Sequence, residues 1–538
     1  MSLIAQPSRR LVFMSCVLLI AVTLVPFTHA TVKRKPSQTA DAINPYYVGR
    51  WEKSFTSVIV VHASVLPNGK VLHWSPSSGP TPSRLWNCVL NNGLCDPDVN
   101  SNNLQDIFWA TTDLFCSGHS LLPDGRLFAA GGSVFGSGEL GTVATTIFEA
   151  NPQPSPSPMA SSGPNMTEGR WYPSTVTLGN GETAILSGIH CAPGEAPPCQ
   201  NYVFNTIPDV LDAAGTSLRK LSTASLFLPL FPRLHLGADG RVFYAGPNSG
   251  SRWLDTSGTG AWGTTIKHYF YSQPPYFITD RDSGSSVMYD VDKVMIAGGG
   301  NPPTNTCEKI DLKGEVGNWE ATGSMQFARR HLNLTILADG KVLATGGTKG
   351  PGFDDSCIHN TIFAAELWDP SSGIGNWTTL ASMSHRRQYH STAVLLIDGR
   401  VLVGGNTGSP PTSEDCKAND PVFQQEIFTP PYLFNPDGTL ATRPLITSAP
   451  DSFGYGTQFL VGSPSAANIA KVTMVRLSSV THSVNMNQRI NHLPFTRVSA
   501  GLRVIAPADG NEAPPGHYML FIINRAGVPS VAKIIKIG

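Results

Sequence analysis

Charge is scarce in this sequence: Asp, Glu, Lys and Arg together make up 14% of 538 residues, against roughly 25% in an average soluble protein, and 38 acids balance 38 bases. No basic stripe is present to meet phosphates, which excludes a nucleic-acid partner. Long apolar runs are also missing, with one exception. That run, "LVFMSCVLLIAVTLV", follows Arg9 and Arg10 and precedes Thr28-His29-Ala30. It falls short of the roughly 20 residues of a membrane-spanning helix and has the layout of a secretory signal. Residues 1–30 are therefore expected to direct export, giving a secreted, extracellular protein with no membrane association after cleavage; an uncleaved anchor is the alternative. Cysteines are few, nine in all with Cys16 inside the signal. In an oxidising compartment Cys88/Cys95 and Cys191/Cys199 are expected as loop disulfides, with Cys357/Cys416 as a third pair.

Glycine (52) and proline (43) are abundant, while apolar residues, at 41%, are spread evenly. The chain is therefore turn-rich and globular, too long for one ordinary core. Three Asn-x-Thr sequons begin at Asn165, Asn333 and Asn376, of which Asn333 lies in an apparent strand.

A repeat organises most of the length. An apolar run, an Asp-Gly or Asn-Gly turn, and a second apolar run recur as "VLPNGKVLHWSP", "LLPDGRLFAAGGS", "LGNGETAILSG", "LGADGRVFYAGP", "ILADGKVLATGGT" and "LLIDGRVLVGGN". The copy "YDVDKVMIAGGG" has lost its turn glycine, with Lys293 roughly marking the turn, and brings the count to seven. Asp-Gly between β-rich runs signals a hairpin, because primed turns need φ > 0. The period is about fifty residues, as in kelch repeats. A unit of four short strands cannot bury its own face, so seven units are expected to close radially into an all-β propeller over residues 31–440. From residue 441 to 538, short alternating strands such as "KVTMVRL" and "GHYMLFIINRAG" predict a small antiparallel, immunoglobulin-like sandwich.

Equivalent positions in a propeller lie at equivalent places around its axis. Nine residues before Gly125 stands Cys116, nine before Gly181 stands Tyr172, nine before Gly340 stands His331, and nine before Gly399 stands His390, with Tyr389 beside it. Singly, each is more often core packing, and Cys116 more often a disulfide partner. Jointly, they would converge at one end of the central channel, where imidazole and phenolate donors suit tetragonal Cu(II).

Four stretches, "DLFCSGHSLLPDGRLFAAGG", "GRWYPSTVTL", "RQYHSTAVLLIDGRVLVGG" and "VTHSVNMNQR", resemble the site motifs of the galactose oxidase and glyoxal oxidase family of copper radical oxidases. The likeness extends through "FTPPYLFNPDGTLATRP" and "GHYMLFIINRAGVPSVAKI". The resemblance implies one Cu(II) ion and a protein-derived radical cofactor made by a thioether between Cys116 and Tyr172. Tyr172, His390 and His482 would be equatorial ligands, and Tyr389 the axial ligand and base. His482 would come from a hairpin that the C-terminal domain pushes into the channel.

In the galactose-specific members a tryptophan stacks on the cross-linked ring. Here His190 falls about where it is expected, so shielding of that ring is in question. The first repeat copy also begins soon after the signal, leaving no counterpart to their N-terminal carbohydrate-binding domain, and their galactose-binding residues have no convincing match. The wording "RWYPS" resembles the glyoxal oxidase branch, so the expected reaction is oxidation of small aldehydes of the glyoxal and methylglyoxal type by O2, with release of hydrogen peroxide, in a monomer. Galactose oxidase-like oxidation of alcohols or carbohydrates is the alternative, and a non-catalytic kelch binding module the more distant one. Cys307 is left over as a buried thiol, with an intermolecular bond as the alternative; His119, His331, His190 and Arg233 are candidates for the substrate mouth, with packing or exposure as their other reading.

Overall fold

The computed structural model describes residues 43–538 apart from 76–81, 97–103, 109–111, 135–140, 150–158, 193–194, 196–198, 200, 272–279, 315–316, 353–356 and 408–421. The signal run and Cys416 lie outside the described residues. Seven antiparallel sheets form the blades of a kelch propeller. Their innermost strands are His62–Val65, Gly118–Leu121, Ser174–Thr177, Arg233–Leu236, Ser285–Asp290, Asn333–Ile336 and Ser391–Leu395.

The repeated turn explains the regularity. Gly69, Gly125, Gly181, Gly240, Gly340 and Gly399 adopt φ between 79° and 96°, which costs a residue without Cβ little. In the degenerate copy the left-handed position is Asp292, at φ 61°, one residue before Lys293. After each turn the chain returns as a second strand buried on both faces, because neighbouring blades pack against it. A second device repeats at the start of the blades: buried arginines reach an acid on the third strand, as in Arg170–Asp209 at 2.7 Å, Arg281–Glu308 at 2.6 Å, Arg329–Glu366, and Arg387–Glu426 at 3.2 Å. Each guanidinium also donates to main-chain carbonyls of its own blade, so the charge is both paired and hydrogen-bonded.

Closure of the ring uses a strand that no repeat copy announced. Arg50–Thr56 pairs antiparallel with Gln424–Thr429 as the outermost strand of the seventh blade. Sequence distant by most of the chain thus completes one sheet, and the propeller is clasped.

The C-terminal strands form two sheets, one of Ser452–Phe453, Lys533–Ile537, Gly516–Asn524, Ile469–Arg476 and Ile490–His492, the other of Gln458–Gly462, Gly501–Ile505 and Phe495–Val498. Val461, Val472, Leu502, Leu520 and Ile535 fill the core between them. From this sandwich a hairpin enters the propeller. Its strand Ser479–Thr481 adds to the first blade beside His62–Val65, with His62 opposite Thr481 and Ser64 opposite Ser479. Beyond it, Gln488 bridges the main chain of Ile336 in the sixth blade at 2.9 and 3.0 Å, and Ser285 of the fifth donates to the Ser483 carbonyl at 2.7 Å. The hairpin therefore plugs the channel and is fixed by several blades at once.

Disulfides join Cys88 to Cys95 and Cys191 to Cys199. Cys357 is also disulfide-bonded, while Cys307 is a buried thiol whose pKa burial pushes up to about 12. Asn333 is buried and donates to Ser391, so that sequon is closed to modification; Asn165 and Asn376 are exposed.

Candidate metal centre

At one end of the channel the backbone does something unusual. Nine residues before the turn position, Cys116, Tyr172, Phe231, Ser283, His331 and His390 all adopt left-handed φ, between 47° and 65°. His482, on the inserted hairpin, does the same at 46°. Such a conformation costs a residue with a Cβ of order 1 kcal/mol and persists only where the surroundings enforce it. Here hydrogen bonds between blades enforce it: Tyr172 N–H donates to the Cys116 carbonyl at 3.0 Å, Phe231 N–H to Tyr172 at 2.9 Å, and His331 N–H to Ser283 at 2.7 Å. The kink turns these side chains out of the blade sheets.

The side chains converge. Cys116 Sγ lies 3.7 Å from His482 Nε2, and the ligand atoms of Cys116, His390 and His482 all fall within 4.8 Å of one another. The hydroxyls of Tyr172 and Tyr389 are hydrogen-bonded to each other. The His482 ring stands edge-on to His390, Tyr172 and Tyr389, with centroids 4.4, 4.7 and 5.6 Å away. All five expected residues thus share one cluster, in which four are buried and His482 is half-buried.

Hydrogen bonds orient both imidazoles. The Thr407 hydroxyl holds His390 Nδ1, and the Thr481 hydroxyl holds His482 Nδ1 at 2.5 Å. His390 Nε2 is then left buried with no partner among the described residues. A buried polar atom in that state is costly unless something else satisfies it. Burial, reinforced by the neighbouring imidazoles, pushes the pKa of both histidines well below the ordinary value, so each ring is neutral with a lone pair to offer. Burial, then the thiol of Cys116 and the phenol of Tyr389, push the Tyr172 phenol well above its ordinary range. Two neutral imidazoles, two phenols and a thiol, gathered in a largely buried pocket, fit a borderline divalent cation that would satisfy Nε2 and permit a phenolate.

The surroundings correct one expectation. His190 does not lie over Tyr172; it sits in the small hairpin Ile189–Cys191/Tyr202–Phe204, with Nδ1 bound to the Cys191 carbonyl at 2.6 Å. The stacked ring is Trp171, the preceding residue, with centroids 3.7 Å apart and planes 23° from parallel. Main-chain pairing of Trp171 with Ile189 fixes that indole in place. His331 stands edge-on to Tyr389 at 5.2 Å. His119 is fully buried beneath the site, and Arg233 is spent on the carbonyls of Phe231 and Gly284, so neither lines a mouth. Trp171, Phe231, Thr407 and Thr481 were missed by sequence reasoning. Phe231 shares the nine-residue register and could have been found by it; the two threonines carry no signal apart from lying beside or downstream of the histidines they orient.

One end of the propeller axis is thus packed with imidazoles, phenols and a thiol, one imidazole being supplied by the hairpin of the appended sandwich. Residues 443–537 match the galactose oxidase-like early set domain. The chain is 29% identical over 519 residues to a galactose oxidase of Gibberella zeae, covering 91% of this chain and 71% of that one. It is 26% identical over 471 residues to the aldehyde oxidase GLOX of Vitis pseudoreticulata, covering 82% and 84%. Among solved structures, a fungal alcohol oxidase of the AA5 family in complex with copper superposes with a TM-score of 0.76 at 28% identity, covering 91% of this chain and 99% of the other. Galactose oxidases and aldehyde oxidases are thus homologues of this chain over most of its length.

Proposed function

We propose that this protein is a secreted copper radical oxidase that converts small aldehydes, as their hydrates, to carboxylic acids while reducing O2 to hydrogen peroxide. The observation that carries the reading is the clustering of Cys116, Tyr172, Tyr389, His390 and His482, with His390 Nε2 buried and without a partner among the described residues.

His390 and His482 would hold the ion through Nε2, their Nδ1 atoms being occupied by threonine hydroxyls. Copper supplies a Lewis acid for the substrate hydroxyl and one of the two redox equivalents the reaction needs. Tyr389, as phenolate, takes the hydroxyl proton. Cys116 and Tyr172, once joined by a thioether, would supply the second redox equivalent, with the Tyr172 oxygen placed to receive the substrate hydrogen. Trp171 covers the ring face and keeps water from it. The substrate loses two electrons and two protons, and O2 takes up both to leave as hydrogen peroxide.

Support for aldehydes comes from the Arg170-Trp171-Tyr172-Pro173-Ser174 wording, whose tryptophan is the stacked residue. The similarity to a galactose oxidase and to a fungal alcohol oxidase favours a second reading with the same site and a primary alcohol as substrate. Peroxide release against glyoxal, methylglyoxal, glycerol and galactose, with Cys116→Ser alongside, decides between them. Turnover on the aldehydes that collapses in the variant supports the proposal; turnover confined to galactose or glycerol moves the chain to the second reading. Export rests on the N-terminal run; among the described residues no helix is long and apolar enough to cross a membrane.

A further inference from the structure

Beneath the proposed centre lies a second set of buried histidines that the reaction does not use. His62, on the innermost strand of the first blade, accepts a hydrogen bond at Nε2 from the main-chain N–H of Cys116, at 3.0 Å. Its Nδ1 is 3.1 Å from His119 Nε2. His119 Nδ1 lies 2.6 Å from Ser479 Oγ and 3.1 Å from Ser64 Oγ, and the two serines are 2.7 Å apart. All five residues are fully buried.

The direction of this chain is fixed from one end. A main-chain N–H can only donate, so His62 Nε2 carries the lone pair and its proton is on Nδ1. His62 therefore donates to His119, whose proton is on its own Nδ1 and goes to the serines. Burial holds both rings neutral, which keeps the order intact. Trp74 adds a second grip on the same turn: its indole stacks on the His62 ring, with planes 4° from parallel, and its Nε1 donates to the Leu114 carbonyl at 3.3 Å. The Cys116 turn is thus held at residue 114 and residue 116 by one cross-strand pair, since His62 lies opposite Trp74 in the first blade.

Two features make this more than packing. Cys116 is in a left-handed conformation that must be enforced, and Tyr172 N–H grips its carbonyl from the other side. Ser479 and Thr481 belong to the hairpin that carries His482, and both pair with the strand that carries His62. One strand therefore registers the C-terminal hairpin by its backbone and the cysteine by an imidazole.

We propose that His62 and His119 are positioning residues for the Cys116–Tyr172 cross-link, aligning the thiol with the tyrosine ring to the register set by the inserted hairpin. The proposal rests on the reading of Cys116 and Tyr172 as the linked pair. In that step the S–H and one ring C–H are lost as two protons and two electrons, a C–S bond forms, and O2 accepts the electrons and protons as hydrogen peroxide. His62 takes no part in the transfer; it limits where Sγ can be.

The test follows cross-linking in time. Full-length protein prepared without copper is mixed with copper in air, and the linked peptide is counted by mass spectrometry beside copper content and thermal midpoint. His62→Phe keeps the ring on Trp74 and leaves the Cys116 N–H buried without an acceptor. It is expected to bind copper as wild type does and to cross-link roughly tenfold more slowly, the scale of an unsatisfied buried donor. His62→Gln, whose amide oxygen reaches the Nε2 position, is expected to restore most of the rate. Wild-type kinetics in His62→Phe with copper bound overturns the proposal, as does a glutamine variant as slow as the phenylalanine one. If His62→Phe does not fold, Ser479→Ala carries the test from the far end of the chain; slowing by about threefold supports it and unchanged kinetics overturns it. Wild-type protein that never cross-links would instead remove the underlying assignment of Cys116 and Tyr172.

Discussion

The hydroxyls of Tyr172 and Tyr389, 217 residues apart in sequence, share a hydrogen bond inside the propeller. Two phenols in contact and out of water cannot both ionise, and burial already drives Tyr172 well above its usual range. A cation reverses that preference. Copper binding near pH 7 is therefore expected to displace protons from the phenols, and affinity is expected to rise with pH. Calorimetry in buffers of different ionisation enthalpy reads the protons released; a value of zero would contradict phenolate ligation.

Tyr389→Phe removes the group assigned to receive the substrate proton while leaving both imidazoles in place. Turnover is expected to fall by about 10²–10⁴-fold, the usual worth of a positioned acid or base. Copper content measured alongside separates a lost base from a lost ligand.

His482→Ala is expected to lose copper, because the imidazole nitrogen has no substitute on the hairpin. Thr407→Val and Thr481→Val keep the ligands and remove only the hydroxyls on their Nδ1 atoms. Those variants are expected to weaken copper binding by about 10–100-fold, as losses of orienting partners do. Competition with a chelator measures both.

Trp171→Leu uncovers the face of Tyr172. The oxidised form, followed by its visible absorption, is expected to decay faster than in wild type, while His190→Ala leaves the decay unchanged. Equal decay in both variants would return the shielding role to the residue that sequence spacing had favoured.

Glu308 tests the scaffold and not the site. Burial raises its pKa, but hydrogen bonding to His268 and the Arg281 charge outweigh it and bring the carboxyl down to about 2. The folded value lies below the usual 4.5, so this group stabilises the fold above pH 4.5, and the contribution fades as pH falls towards 2. Glu308→Gln strands the buried Arg281 and is expected to cost about 3 kcal/mol or more near neutrality. The gap between variant and wild type should narrow in acid, which urea melts at several pH values would show.

The propeller was legible because its signal is local and repeated: each Asp-Gly hairpin lies within a dozen residues of sequence. The degenerate copy remained readable because Asp292 tolerates the left-handed turn that glycine adopts elsewhere. The nine-residue register was legible for the same reason, and it points to the ring of kinked residues without announcing the kink. What sequence hid is long-range. Arg50–Thr56 has no turn signal of its own and is recognisable as part of the seventh blade only when Gln424–Thr429 is beside it. Trp171 was overlooked because alternation along a strand sends neighbours to opposite faces, and the left-handed Tyr172 breaks that rule. His62 gave no hint, since an isolated histidine on an apolar strand is usually just packed.

The inserted hairpin also sets the order of events in the life of the molecule. His482 arrives only after every blade has been made, and the strand it joins is the first blade's own. A nascent chain shorter than that point carries Tyr172, Tyr389 and His390 yet lacks the imidazole between them. A centre that needs His482 is therefore completed only after the last blade, when the hairpin seats against the first.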